Sequence, residues 1–233
     1  MIKMGDFFQM IWNKIYITFI YDDRYLFFVE GLKTTLILTF GSFILGTLFG
    51  ILLTVMQRSG NSALQKTGRG IASLLRGIPT MVLLMIMAYI VFGKSSLPLM
   101  LIAVIGLTLK AGSYLSEIFN TALNTVQPGE VEAARTLGMN KWQAFSKVVL
   151  PQTVTSAMPL YINQFVMSMQ ETSVVGYLAI IDLTKASSIV TSRTMDAFFG
   201  LIFITLIYFG IGLIAKQFVK LFDSRRKQEP AND

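Results

Sequence analysis

Residues 34–56 read TTLILTFGSFILGTLFGILLTVM, running from Thr34 to Met56 without a charged side chain. As a helix at 1.5 Å per residue this run rises about 35 Å, enough to cross the roughly 30 Å hydrocarbon core of a bilayer. Within it, Gly46-x-x-x-Gly50 offers a flat face on which a second helix can pack closely. Four further apolar stretches are predicted as spans. Gly77 to Gly93 has Pro79 near its start, and Leu97 to Thr121 carries Lys110 and Glu117. Thr153 to Ile181 carries Pro159 and Glu171, and Ala197 to Ala215 lies between Asp196 and Lys216. The predicted fold is all-α: a polytopic membrane protein with five transmembrane helices.

Composition agrees. Of 233 residues, 53% are hydrophobic and 14% charged, against about 25% charged in a typical soluble domain. The polar stretches are too short to form a separate soluble domain. With no cysteine and no histidine, disulfides are excluded, and the usual zinc, haem and histidine-base chemistries lack their side chains. The start, Met1-Ile2-Lys3-Met4-Gly5-Asp6, lacks the apolar core and small-residue cleavage site of a signal peptide. The Phe and Met content is read as packing in apolar spans.

A net charge of +7 raises nucleic-acid binding, but its placement points to a membrane. Arg58, Lys66, Arg69 and Arg76 fall in the first inter-span loop; Arg135, Lys141 and Lys147 in the second; Lys216, Lys220, Arg225, Arg226 and Lys227 in the tail. The opposite loops hold only Lys94, Lys185 and Arg193. By the positive-inside rule the first group is cytoplasmic, which puts the N-terminus outside and the C-terminus inside. Phe7, Phe8, Ile11, Trp12, Ile15, Tyr16 and Phe19 repeat every three to four positions, with Asn13 and Lys14 interrupting. That pattern predicts an interfacial helix, which would lie on the outer leaflet or embrace a neighbouring subunit. The expected organisation is an extracytoplasmic segment over 1–28, a membrane domain over 29–220 and a cytoplasmic tail over 221–233.

The loop at about 125–147 is polar yet helix-forming. Pro128 is placed to open a helix, with Glu130 and Glu132 near its positive end. Gly138 can end it in the left-handed conformation, and Asn140 with Gln143 predicts a capping box on a second helix. So ordered a loop between spans reads as a docking element for another protein.

Gly60-Asn61-Ser62-Ala63-Leu64-Gln65-Lys66-Thr67 approaches a phosphate-binding loop, but Gln65 stands where the second glycine belongs and no α/β domain surrounds it. It is read as a solvated basic loop, so any ATP is bound by another chain. Charged groups in the spans must face protein, water or ligand. Lys110, Tyr114 and Glu117 share one face of the third span. In the fourth, Asn163 with Gln170, and Gln164 with Glu171, repeat at spacing seven. These seven are candidate pathway residues. Alternative readings stay open: Lys110 paired with a carboxylate, Glu117 solvated at the span's end, the amides bonding helix to helix.

Glu132-Ala133-Ala134, three residues, Gly138, nine residues, Val148-x-Leu150-Pro151 resembles the EAA signature of ABC importer permeases, with valine in place of isoleucine. The chain further resembles the polar amino acid uptake permeases over about Val29 to Lys220. The supporting segments are Glu30-Gly31-Leu32-Lys33-Thr34-Thr35, Arg76-Gly77-Ile78-Pro79, Gln152 and Thr172-Ser173. This resemblance implies a bacterial plasma-membrane transport subunit with no catalytic residues or cofactor of its own. It also implies two ABC ATPase subunits binding ATP and Mg, a second permease, identical or homologous, and an extracytoplasmic solute-binding protein. The coupling helix would present Glu130, Glu132, Ala133, Ala134, Arg135, Leu137 and Gly138 to the ATPase. Two departures bear on substrate: Gln170-Glu171 where many relatives have Lys-Asp, and Asn120 where many have arginine. An ion-coupled secondary transporter, with Lys110, Glu117 and Glu171 as a relay, is the competing class, disfavoured by the absence of an internal repeat.

Overall fold

The computed structural model describes residues 4–227, and side chains are described for fewer at both ends. Helix α1 (Met4–Ile15) runs through a π-turn at Tyr16–Ile20 to a tight corner, where Asp22 and Asp23 both have positive φ. The remaining helices are α2 (Tyr25–Gln57), α3 (Ser62–Gly77), α4 (Thr80–Met85), α5 (Leu99–Leu123), α6 (Pro128–Thr136), α7 (Lys141–Ala144), α8 (Leu150–Glu171), α9 (Leu183–Thr194) and α10 (Phe198–Lys227). A π-helix at Ile86–Val91 extends α4, a second at Phe145–Val149 joins α7 to α8, and 3₁₀ turns over Thr172–Leu178 follow α8.

Three helices, α2, α5 and the Phe198–Ala215 stretch of α10, are long and apolar enough to cross a membrane alone. Two bent pairs raise the number to five: α3 with α4, bent by 106°, and the Lys141–Leu178 segment with α9, bent by 51°. By length and composition, three to five segments can therefore cross, and the two that decide the number are bent rather than straight. The helical part of the second expected span, Thr80–Val91, rises only about 18 Å, so the chain around Ile78–Pro79 and 92–98 must complete that crossing. The C-terminal basic residues lie on α10 or beyond it, outside the described side chains and residues.

The core is built on close contact between α2 and α5. A Cβ on Gly46 would sit 3.0 Å from the Ala111 Cβ, and one on Gly50 would sit 2.9 Å from that of Leu115. Gly112 returns the fit, its hypothetical Cβ only 2.8 Å from the Gly46 carbonyl oxygen. Without bulk at these positions, dispersion contacts accumulate along the whole seam, which is what holds helices together where lipid is as apolar as leucine. Leu38, Leu84, Ile102, Leu107 and Val175 fill the space between these helices, α4 and the 3₁₀ segment.

Two segments read as loops are helices. The basic stretch after α2 forms α3, opened by Asn61, whose side chain accepts a hydrogen bond of 2.9 Å from the Ala63 N–H. Ser62 to Thr67 are therefore helical and leave no open loop to wrap a phosphate. The stretch holding Lys185 and Arg193 forms α9, opened by buried Asp182, which accepts from the N–H groups of Thr184 and Lys185. Leu183, Ala186 and Val190 of α9 pack on Phe28 and Ile204, beside the Phe19–Phe28–Phe203 ring cluster. Near the chain start, Lys14 pairs with Asp196 at 2.6 Å and Asp22 with Arg193 at 3.7 Å, tying the N-terminal segment to the ends of α9 and α10.

Candidate functional site

The charged residues of the third and fourth spans do not form one cluster. Lys110, on α5, is 3% exposed. Its Nζ donates to the carbonyl oxygens of Leu75 and Arg76, each at 3.1 Å, and of Ile78 at 2.5 Å. These carbonyls lie at the end of α3, where Pro79 has no N–H to offer Leu75 and the chain turns away. Lys110 is thus the cap of a helix on which it does not reside, placed where the negative end of the α3 dipole favours a cation. Its Nζ also sits 5.3 Å from the centre of the Tyr114 ring.

Arg76, the last basic residue of α3, reinforces the attachment. It donates to the Ser113 carbonyl at 2.9 Å and pairs with Glu117 at 3.2 Å. Glu117 itself is exposed, as expected for a carboxylate at the end of its span. Lys110 and Glu117 share a face but have different partners. Glu171, half-buried at the end of α8, lies near enough to Lys110 and Thr80 for their charge and dipole to act on its carboxylate, without an ion pair to Lys110 within 4 Å.

The polar residues of α8 divide by face. Asn163 and Gln170 are exposed and line a cleft of about 920 Å³ between α8 and α10, with Ser173, Thr184, Thr205 and Tyr208. Tyr208 bonds to Thr184, the two hydroxyl oxygens 3.4 Å apart. Gln164 is buried and turned away, donating to Ser168 Oγ at 3.4 Å. The cleft is mostly apolar with hydrogen-bonding groups of both kinds, and Glu171 follows Gln170 directly.

Sequence reasoning missed Arg76 and Thr80 as neighbours of the charged set, and Tyr208 altogether. Asn120 accepts from Arg58 at 2.9 Å and donates to Gln57 at 2.7 Å, so it ties the end of α2 to α5.

The docking loop forms as its residues predict. Pro128 stands at the start of α6, and Gly138 follows its end with φ of +88°. Met139 N–H donates to the Ala134 carbonyl at 3.2 Å, and Gly138 N–H to that of Arg135 at 3.0 Å, the paired bonds of a Schellman motif. Asn140 and Gln143 form the reciprocal capping box on α7. Ala134 is buried, fixing one side of α6, while Glu130, Glu132, Ala133, Arg135, Leu137 and Gly138 are exposed. Leu137 is 82% exposed and Trp142 72%. The Gln152 amide donates to Glu130, linking the start of α6 to the first turn of α8.

A bundle of apolar helices with a capped helical element between them defines a polytopic helical membrane protein. Residues 34–228 match the family described as "Binding-protein-dependent transport system inner membrane component", and the chain belongs to that family. It is 28% identical over 199 residues to the "Probable amino-acid permease protein YxeN" of Bacillus subtilis, covering 84% of this chain and 89% of that protein. To the "Glutamate/aspartate import permease protein GltK" of Escherichia coli it is 27% identical over 209 residues, covering 85% and 93%. Among solved structures, a chain from the "Crystal structure of an amino acid ABC transporter with histidines" superposes with a TM-score of 0.78 at 30% identity, covering 85% of this chain and 94% of that one. A chain of the MetNI methionine ABC transporter shares the fold, with a TM-score of 0.71 at 21% identity over 87% and 99% of the two chains.

Proposed function

We propose that this chain is the permease subunit of an ATP-binding cassette importer that moves a polar amino acid inward across the bacterial plasma membrane. The observation that carries the proposal is the doubly capped α6–α7 element within a chain that matches the family over 34–228. The names of the relatives support an amino acid as cargo and favour this reading over an ion-coupled transporter. Two ATPase subunits would bind ATP and Mg, a second permease would complete the pathway, and a solute-binding protein would deliver cargo from outside. The N-terminus lies outside and the C-terminus in the cytoplasm.

In this scheme the ATPase grips the exposed side of α6 through Leu137 and the flanking Glu132, Ala133 and Arg135. A helix opened by proline and closed by a Schellman motif, followed at once by a boxed second helix, moves as a rigid body, and the Glu130–Gln152 contact passes its displacement to α8. The far end of α8 carries Gln170 and Glu171, so closure of the ATPases reaches the groups that face the cargo. Asn163 and Gln170 supply neutral donors and acceptors, and Glu171 supplies charge complementary to an α-ammonium group. Lys110 serves as counter-charge to Glu171 from behind, with Tyr114 against it.

The test is isolation of the tagged chain from native membranes in mild detergent, followed by ATP-dependent uptake in proteoliposomes. Co-purification of an ATPase and uptake that requires ATP are expected. Recovery of the chain alone, under conditions that keep a known importer intact, would overturn the reading, as would uptake driven by a proton gradient without ATP. Glu171→Ala should reduce uptake without releasing the ATPase; unchanged uptake kinetics would remove Glu171 from the pathway.

A further inference from the structure

Helix α3 has three differently used sides. Gly68, Ala72 and Leu75 are buried, with the end of α2 so near that a Cβ on Gly68 would lie 3.0 Å from the Met56 Cβ. At about 100° per residue, Leu64, Ile71 and Leu74 form a second stripe and Lys66, Arg69 and Ser73 a third on the opposite flank. The apolar stripe is uncovered: Leu64 is 44%, Ile71 37% and Leu74 64% exposed. Lys66, Arg69 and Ser73 are exposed too.

The direction of α3 indicates what covers that stripe. Helix α4 departs from it at 106°, at the point where the chain enters the apolar bundle. A helix perpendicular to a membrane-crossing segment at its point of entry lies along the membrane surface. The ends of α2 and α5 meet at the same level, where Arg58 donates to the Asn120 carbonyl at 3.0 Å. Residues 57–76 contain four basic side chains and no acid, a charge pattern that complements anionic headgroups.

We propose that α3 is seated in the headgroup layer of the bilayer on the docking-loop side, with Leu64, Ile71 and Leu74 in the acyl boundary and Lys66 and Arg69 at its wet edge. An amphipathic helix with apolar and basic flanks takes this position in the interface. The seat supports the elbow, because the C-terminal carbonyls of α3 are held by Lys110 and its Arg76 by Ser113 and Glu117. This inference rests on the membrane reading above but not on the identity of the cargo.

Because the chain has no cysteine, one can be introduced cleanly. Leu74→Cys and Leu64→Cys report on the apolar stripe, and Ser73→Cys on the basic flank. Each is labelled with an environment-sensitive fluorophore in the assembled transporter, in nanodiscs containing phosphatidylglycerol with and without brominated acyl chains. Blue-shifted emission and several-fold stronger bromine quenching are expected at 74 and 64 than at 73. Equal or absent quenching would overturn the proposal. Red emission at 74 would then place the stripe in water, whereas blue emission without quenching would place it under another protein subunit. ATP-driven uptake by the same variants reconstituted in proteoliposomes reports on the importer reading separately.

Discussion

Helices α3 and α6 both stop abruptly, and they do so by opposite means. At Gly138 the chain satisfies the end of α6 with its own next residues: two backbone bonds, one left-handed glycine, all within a few positions. At Pro79 it cannot, since proline lacks the N–H, and the end of α3 is satisfied by an ammonium group from α5, more than thirty residues away in sequence. The first end is autonomous and lies in the open. The second exists only while three helices are assembled. An exposed segment is capped locally, and a segment packed into the bundle is capped by the bundle.

The sharpest way to break this comparison is Lys110→Met, which keeps the length of the side chain and removes its donors. It leaves three carbonyls with their donor removed, a loss on the order of 3–5 kcal/mol, since each unsatisfied buried group costs about 1–3. The midpoint of thermal unfolding of the detergent-solubilised protein should fall by about 6–20 °C, at the roughly 2–4 °C per kcal/mol expected for a chain of this size. A fall under about 2 °C would mean the elbow holds without its lysine. Combining the change with Glu171→Gln sharpens the result: if the two charges are coupled, the double variant loses less than the sum of the single losses.

Gly138→Val probes the other end and should cost less. A Cβ there meets open space, with nothing within 4 Å, so no packing is lost and only the left-handed backbone is penalised, by about 1–2 kcal/mol for an ordinary residue. The α6 end should fray while the spans stay inserted. Uptake is expected to fall several-fold with little change in unfolding temperature, and Gly138→Asn should retain more activity because asparagine tolerates this conformation. Normal uptake by a well-expressed Gly138→Val variant would show that the geometry of this turn is not needed for coupling.

The same contrast explains what could be read in advance. Gly138, Asn140 and Gln143 announce themselves because a cap made from neighbouring residues is written in consecutive letters. Gly46 and Gly50 were legible for a similar reason, since absence of bulk at spacing four has few other uses in an apolar helix. The partners of Lys110 were not legible: backbone carbonyls have no letter, and a carboxylate was the natural expectation. Helix α9 was hidden because its sequence mixes Lys185, Arg193 and small polar residues, and its burial comes from contact with α2 rather than from its own hydropathy. The division of α8, with Asn163 facing the cleft and Gln164 the core, turns on one residue of rotation that spacing alone cannot fix.

The N-terminal segment provides the weakest tether and the smallest predicted effect. Lys14 and Asp196 lie near the surface, where an ion pair contributes little and salt screens it. The hydrogen bond from Lys14 holds the Asp196 carboxyl below its ordinary range, and the Phe198 N–H adds to this. A depressed carboxylate contributes its stability above its unfolded value, near 4. That contribution disappears as the pH falls through the lower folded value. Acidification, high salt and Asp196→Asn should therefore act alike, each loosening α1 while leaving the α2–α5 seam unchanged. Amide exchange of residues 8–15 should rise by no more than about fivefold in Asp196→Asn at neutral pH, the scale of an exposed pair. For comparisons across pH, the rates must be corrected for intrinsic exchange. If α1 instead became fully unprotected, Lys14–Asp196 would be its principal attachment, and the segment would resemble the elbow, held from a distance, more than the locally capped loop.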